Sequence, residues 1–183
     1  MLADVDGAPE SWSPDGNYLM YQRKQSLFLW PLGGGSPIPV GGRVGSSHWG
    51  QFSPDSRAIA YTSNESGRDE VYVQLTPPAM GRIRVSTTGG TRPRWGRTSG
   101  ELVFQSGDRS MMDAAIRVAP TLSAAAPRKM FLIEAGSVFT NTRFDYDATR
   151  QRFLIPRIAG EGLADTPITV VLNWWAELVK RPN

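Results

Sequence analysis

The sequence predicts an all-β protein, a β-propeller built of four-stranded antiparallel blades, with about four blades in this chain and a short helical turn at its end. Three observations carry that expectation. First, a turn motif recurs forty residues apart, Ser13-Pro14-Asp15-Gly16 after Trp12 and Ser53-Pro54-Asp55-Ser56 after Phe52. Second, each copy is followed by an alternating apolar segment that ends in tyrosine. Third, 19 glycines and 14 prolines among 183 residues suit a chain that turns often and do not suit a helical one.

Each element follows from the chemistry of its residues. In the turn motif proline presets φ, aspartate accepts from backbone amides ahead of it, and glycine tolerates positive φ where the chain re-enters a strand. The second strands read Tyr18 to Arg23 and Ala58 to Ser63, the third strands Ser26 to Trp30 and Glu70 to Leu75. The polar loop Asn64-Glu-Ser-Gly-Arg-Asp69 precedes the latter. Short fourth strands are expected at Ser36 to Val40 and Gly81 to Ser86, with glycine pairs at 41–42 and 89–90 leading into the next unit. Four short strands at this period describe a propeller blade.

Two weaker copies align on Trp95, with Gly100 and the strand to Phe104, and on Phe144, with Asp147 and the strand to Ile155. The aromatic spacings are then 40, 43 and 49 residues. One domain over 1–183 is expected, with blades at 9–43, 44–90, 91–136 and 137–175. Trp12, Phe52, Trp95 and Phe144 take equivalent places and are expected to pack between blades. Tyr21, Tyr61, Phe104 and Phe153 are expected to close their second strands.

The phrases Trp12-Ser-Pro-Asp-Gly-Asn-Tyr-Leu-Met-Tyr21 and Phe52-Ser-Pro-Asp-Ser-Arg-Ala-Ile-Ala-Tyr-Thr-Ser63, with Glu70-Val-Tyr-Val73, resemble the TolB-type propeller repeat of bacterial proteins. The segment Pro167 to Trp174 followed by Ala176 to Lys180 resembles the last blade and terminal helical turn of propellers that follow kinase or regulator domains in larger proteins. The resemblance implies a non-catalytic module that binds a protein, a peptide or a small ligand, in a periplasmic or extracytoplasmic setting. It is specific for fold and says little of function, because propellers host many activities. An alternative is the substrate-gating propeller of a hydrolase resembling the prolyl oligopeptidase group, whose catalytic domain lies outside this chain.

The chemistry read from the residues favours binding over catalysis. The stretch nearest a Gly-x-Ser-x-Gly elbow, Gly45-Ser-Ser-His-Trp49, lacks the final glycine. One histidine and no cysteine exclude a histidine or cysteine metal cluster, and no cofactor is expected. Asp145-Tyr-Asp147 lacks the remaining oxygens of a calcium loop, so Asp147 reads as a turn residue. Gly33-Gly-Gly-Ser36 lacks the lysine and following helix of a phosphate loop.

A net charge of +3 and a pI near 9.5 do not call for a nucleic acid. The opening residues lack the basic and apolar regions of a secretory signal, and no apolar run reaches the length of about 20 residues needed to span a membrane. Of the 20 basic residues 17 are arginine, five of them at Arg82, Arg84, Arg92, Arg94 and Arg97. Arginine's planar fork suits carboxylates and phosphates.

Arg94 and Arg143 each precede a repeat aromatic on an innermost strand, where they are expected to bring positive charge near the ring axis. The candidate binding residues are therefore Arg94, Arg143 and Arg92, together with His48 and Trp49, which fall outside the aromatic register. Their alternative role is to decorate solvated strand faces. The partner expected is a protein or peptide, with an acidic one best matched to arginine. Four blades leave two open flanks unless they close on themselves, so a homodimer or further blades upstream are also expected.

Overall fold

In the computed structural model the structure describes residues 7–42, 44–79, 81–133, 144–156 and 168–171. The first sheet runs β1 (Ala8–Trp12), β2 (Tyr18–Arg23), β3 (Ser26–Pro31) and β4 (Ile38–Val40) in that order, each antiparallel to the next. The second repeats it with β5 (Ser47–Phe52), β6 (Ala58–Ser63), β7 (Glu70–Leu75) and β8 (Arg82–Arg84). The third joins β9 (Gly90–Trp95), β10 (Glu101–Ser106) and β11 (Ser110–Arg117). Two segments, β12 (Ser123–Ala124) and β13 (Arg128–Leu132), share the outer edge of β11. The last described sheet is β14 (Asp145–Asp147), β15 (Arg152–Pro156) and β16 (Ile168–Val171).

The expected terminal helical turn at 176–180 lies outside the described residues. Among the described residues there is no helix, and none is long and apolar enough to cross a membrane.

The first hairpin turns are built as the motif's chemistry requires. The Tyr18 N–H donates to Ser13 Oγ at 2.8 Å and Ala58 N–H to Ser53 Oγ at 3.0 Å, so the serine side chain holds the far side of each turn. Asp15 and Asp55 each accept from the backbone two residues on, at 3.0 and 3.1 Å. Gly16 has φ of +75°, and Ser56, in the same place, keeps φ of +61° despite its side chain. The Ser56 hydroxyl accepts the Asp15 N–H at 2.9 Å, which ties the second turn to the first. These aspartates are structural, as their turn chemistry predicts.

The core lies between sheets, and its rows repeat. From the second sheet on, one face carries the aromatic that ends the inner strand and two residues of the second strand, and it packs on the sheet before it. Phe52, Ile59 and Tyr61 meet Met20, Leu27 and Leu29; Trp95, Leu102 and Phe104 meet Ala58, Ala60 and Val73. Phe144, Tyr146, Phe153 and Ile155 meet Val103, Met111 and Met130. Phe153 stacks on Tyr146, with ring centroids 4.6 Å apart. Burying such side chains supplies about 1.5–3 kcal/mol each, the main source of cohesion between blades.

Two expectations about the aromatics change. In the first three sheets the inner aromatic pairs with a residue seven places on: Trp12 with Leu19, Phe52 with Ile59 and Trp95 with Leu102. In the fourth, Tyr146 pairs with Phe153, so Tyr146 and not Phe144 is the equivalent residue. The slip of two arises in the turn: Asp147 accepts from the Thr149 and Arg150 N–H groups at 3.0 and 3.1 Å and so opens the turn, the place serine holds in the first two hairpins. Accordingly Phe153 matches Leu19, Ile59 and Leu102, and Ile155 matches Tyr21. Trp12 is the second change. It is 54% exposed, because among the described residues no sheet covers the flank on which it stands.

Candidate functional site

The inner strands of the first three sheets each carry a bulge near their start. Pairing shifts between Pro9 and Ser11 on β1, between His48 and Gln51 on β5, and opposite Phe104 on β9. A bulge gives one strand an extra residue, increases its twist and re-aims side chains. On β5 the residue so placed is Trp49, on β9 it is Arg92, and both hold φ of +54°. Each lies three residues before its inner aromatic, so they are counterparts in successive sheets.

The two meet across the junction. The Arg92 guanidinium carbon lies 4.2 Å from the centroid of the Trp49 ring, and His48 stands edge-on to that ring with centroids 4.1 Å apart. His48 Nε2 is 3.7 Å from Asp69 Oδ2, at the end of the loop that leads into β7. The Arg92 N–H donates to Thr62 Oγ1 at 3.1 Å, and Thr62 is the cross-strand partner of His48. Arg92 is buried; the outer wall of the cluster is Asp69, whose side chain is 47% exposed. Burial pushes the His48 imidazole below its ordinary value; the Asp69 carboxylate opposes that and the Arg92 charge adds to it. The imidazole is therefore neutral at pH 7 and has a nitrogen able to accept.

The structure thus brings together three of the five residues expected from sequence, His48, Trp49 and Arg92. Arg94 is directed elsewhere: its Nη1 donates to the Pro93 carbonyl at 2.9 Å and its guanidinium carbon lies 5.9 Å from the Phe144 ring. It stands at the junction of the third and fourth sheets. Arg143 lies outside the described residues. With Tyr146 as the repeat aromatic, the residue preceding it is Asp145, so the fourth equivalent of Arg94 is a carboxylate.

Sequence reading missed two acidic residues beside this cluster, Asp69 and Glu70. The side chain of Glu70 is fully buried at the head of β7. It accepts from Arg68 Nε at 2.7 Å and from Gly89 N–H at 3.1 Å, and the Ser86 hydroxyl donates to it. Burial alone would raise its pKa. The Ser86, Arg68 and Gly89 donors outweigh burial, and the carboxyl ionises below its usual range. Glu70 fastens the loop carrying Asp69 to the connection entering β9. The signal was present in the sequence: the acidic pair Asp69-Glu70 heads the apolar run Val71-Tyr-Val73.

Away from the cluster, on the side of the turns holding Asp15 and Ser56, an open cleft of about 500 Å³ is lined by Tyr18, Pro31, Arg57, Thr76 and Pro77. Among the described residues no group of three or more His, Cys, Asp or Glu side chains is placed to hold a metal ion.

No protein-family model matches the sequence, and no curated protein matches it. In three dimensions the chain is similar to TolB from Acinetobacter baumannii, with a TM-score of 0.60 and 14% identity over 85% of this chain and 38% of that one. It is also similar to the β-propeller domain of Cps50 (Swd1) from Myceliophteria thermophila, with a TM-score of 0.56 and 17% identity over 88% of this chain and 57% of that one. The chain therefore spans less than two thirds of either protein. Successive antiparallel sheets that pack face to face in chain order, bulged inner strands and these likenesses identify the fold as a TolB-like β-propeller.

Proposed function

We propose that this chain is a non-catalytic binding and scaffold module. It takes a protein or peptide segment at the end of the blades where the 64–69 loop meets the inner strands. The observation that carries this reading is the Arg92–Trp49–His48–Asp69 cluster, in which a buried guanidinium braces an indole and an exposed carboxylate stands 3.7 Å from an imidazole. Tryptophan and arginine are the residue types that dominate binding energy at protein interfaces, and a braced ring loses little entropy on contact. The likeness to propellers supports a binding role by analogy of fold.

A display selection of random peptides against the chain tests the reading, with binders re-measured on Trp49→Ala and Asp69→Lys. The expected result is a loss of about tenfold or more in both variants, the size of one interface anchor, at unchanged melting temperature for Asp69→Lys. Binders indifferent to both substitutions would place the binding surface elsewhere.

A further inference from the structure

Along residues 64–70 and across the Trp49 cluster, the charged side chains meet a partner of opposite sign or are buried, with one exception. Glu65 Oε2 lies 2.6 Å from Arg82 Nη1 and also accepts the Gly42 N–H at 3.0 Å. Arg68 is turned inward: its Nε donates to the buried Glu70 at 2.7 Å and its Nη2 to the Thr87 carbonyl. Arg92 is buried, with its guanidinium over the indole.

The exception is Asp69. Among the described residues its carboxylate has one ionisable side chain within ion-pair distance, His48, at 3.7 Å from Nε2. That imidazole is neutral at pH 7, because burial holds it below its ordinary value. A negative charge without a cation beside it therefore faces outward next to a braced ring. The neighbouring turn does not cancel it. Gly89 lies against both the Asp69 carbonyl and Gly107, where a Cβ would stand 4.0 and 3.4 Å from them, so the 107–109 turn borders the same surface. That turn carries Asp108 and Arg109 and adds no net charge.

The many arginines of this region match an acidic partner in sequence, but the geometry does not present their charges here. Arg92 is covered, Arg68 is held by Glu70, and Arg94 stands at the next junction beside Phe144. What this end offers a partner is a carboxylate and an indole. Lysine and arginine suit both features, since each has an apolar stem and a charged head, and arginine's fork can engage both oxygens of a carboxylate. Trp49 is also held at φ of +54°, and backbone strain of that kind gathers at ligand clamps.

Resting on the binding reading above, we infer that the bound segment anchors itself with a basic side chain. Its ammonium or guanidinium pairs with Asp69, and its stem lies along the Trp49 ring. The partner is thus a peptide or protein segment carrying lysine or arginine at the contact.

A displayed library of random peptides, selected on the immobilised chain at neutral pH, tests this. Lysine and arginine are expected to be enriched over the input library, and aspartate and glutamate depleted. The chain's net charge of +3 pulls the other way, so such enrichment reports the site and not the overall field. The tightest peptide is then made with each basic residue replaced in turn by glutamine, and the set is titrated into the wild-type chain, Asp69→Asn, Asp69→Lys and Trp49→Ala. One replacement is expected to weaken binding about tenfold or more on the wild-type chain and less than about threefold on Asp69→Asn, the pattern of a paired charge. Asp69→Asn preserves the size of an exposed side chain, so its melting temperature is expected to be unchanged. Enrichment of acidic residues, or equal losses on the wild-type chain and Asp69→Asn, overturns the basic anchor. If those peptides still weaken on Asp69→Lys or Trp49→Ala, the binding site stands and only the partner's chemistry is wrong. Peptides indifferent to both of these variants overturn the site and the anchor together.

Discussion

Arg92 lies over Trp49 with its guanidinium carbon 4.2 Å from the ring centroid, and the two residues share a φ of +54° at corresponding bulges of neighbouring inner strands. Positive φ is uncommon for side chains of this bulk and is kept where the surroundings over-determine it. Here the surroundings are each other: the bulge that strains Trp49 turns its ring toward the next sheet, where the same bulge delivers Arg92.

A double-mutant cycle of Trp49→Ala and Arg92→Ala therefore has a coupling energy of about 1–2 kcal/mol, the range for a largely desolvated cation over an aromatic ring. Urea melts of the four proteins measure it. Arg92→Lys keeps the charge and loses the planar contact, so it should recover less than half of the coupling.

Gly50 lies where β5 crosses the first sheet. A Cβ there would stand 2.1 Å from Met20 Sδ and 2.9 Å from Leu27 Cδ1. Gly50→Ala is expected to destabilise by about 1–3 kcal/mol through overpacking. Combining it with Met20→Ala, which vacates the space, should cost less than the sum of the two single changes, as read by thermal melting.

The inner aromatics differ in weight although the repeat makes them equivalent. Trp95→Ala should cost about 3–5 kcal/mol, as for a buried large side chain. Trp12→Ala should cost far less, because Trp12 is 54% exposed. Tyr146→Phe removes the hydroxyl that donates to Glu101 Oε1 at 2.6 Å and is expected to cost about 1.5–3 kcal/mol, the range for a hydrogen bond to a charged group. Chemical denaturation of the three variants tests the order.

Stability should fall in two acid steps. The folded His48 imidazole titrates below its ordinary 6.5, so below that value the unfolded chain takes up a proton that the folded chain resists. That contribution is complete above the unfolded value and is lost as pH falls toward the folded one. The carboxyl of Glu70 also titrates below its ordinary 4.5 in the folded chain, so its contribution is complete above that value and disappears as pH drops through the folded pKa. In melts recorded across pH, His48→Gln should remove the first step and Glu70→Gln should reduce the second, to which Asp15, Asp55, Asp108 and Asp147 also contribute because their hydrogen-bonded carboxyls ionise below their ordinary value.

The first two hairpins were legible because their turns are local chemistry. Serine, proline, aspartate and glycine fix a turn within a few residues, and the alternation after it names a face. Where the motif decays the reading slipped. Asp147 opens its turn where Asp15 sits inside one, and that moved the fourth aromatic from Phe144 to Tyr146. The double outer edge of the third sheet, β12 and β13, also escaped notice, since both segments are short and rich in alanine or charge.

Of the candidate site, sequence singled out His48, Trp49 and Arg92 individually but gave no reason to join them. Their contact depends on two bulges in strands more than forty residues apart, and the register of a bulge is set by the partner strand.

What the sequence by itself determined is the repeat: strand order, turn positions and the apolar row each sheet offers its neighbour, all encoded in short windows by φ preference and alternation. Only the tertiary structure decided which member of each row is covered, where Arg92 and Arg94 part company, and that Trp12 and Leu154 stand uncovered among the described residues. Burial and cation–ring contacts are relations between sheets. The same residue type is core at position 95, where the second sheet packs over it, and 54% exposed at position 12, where among the described residues no sheet does.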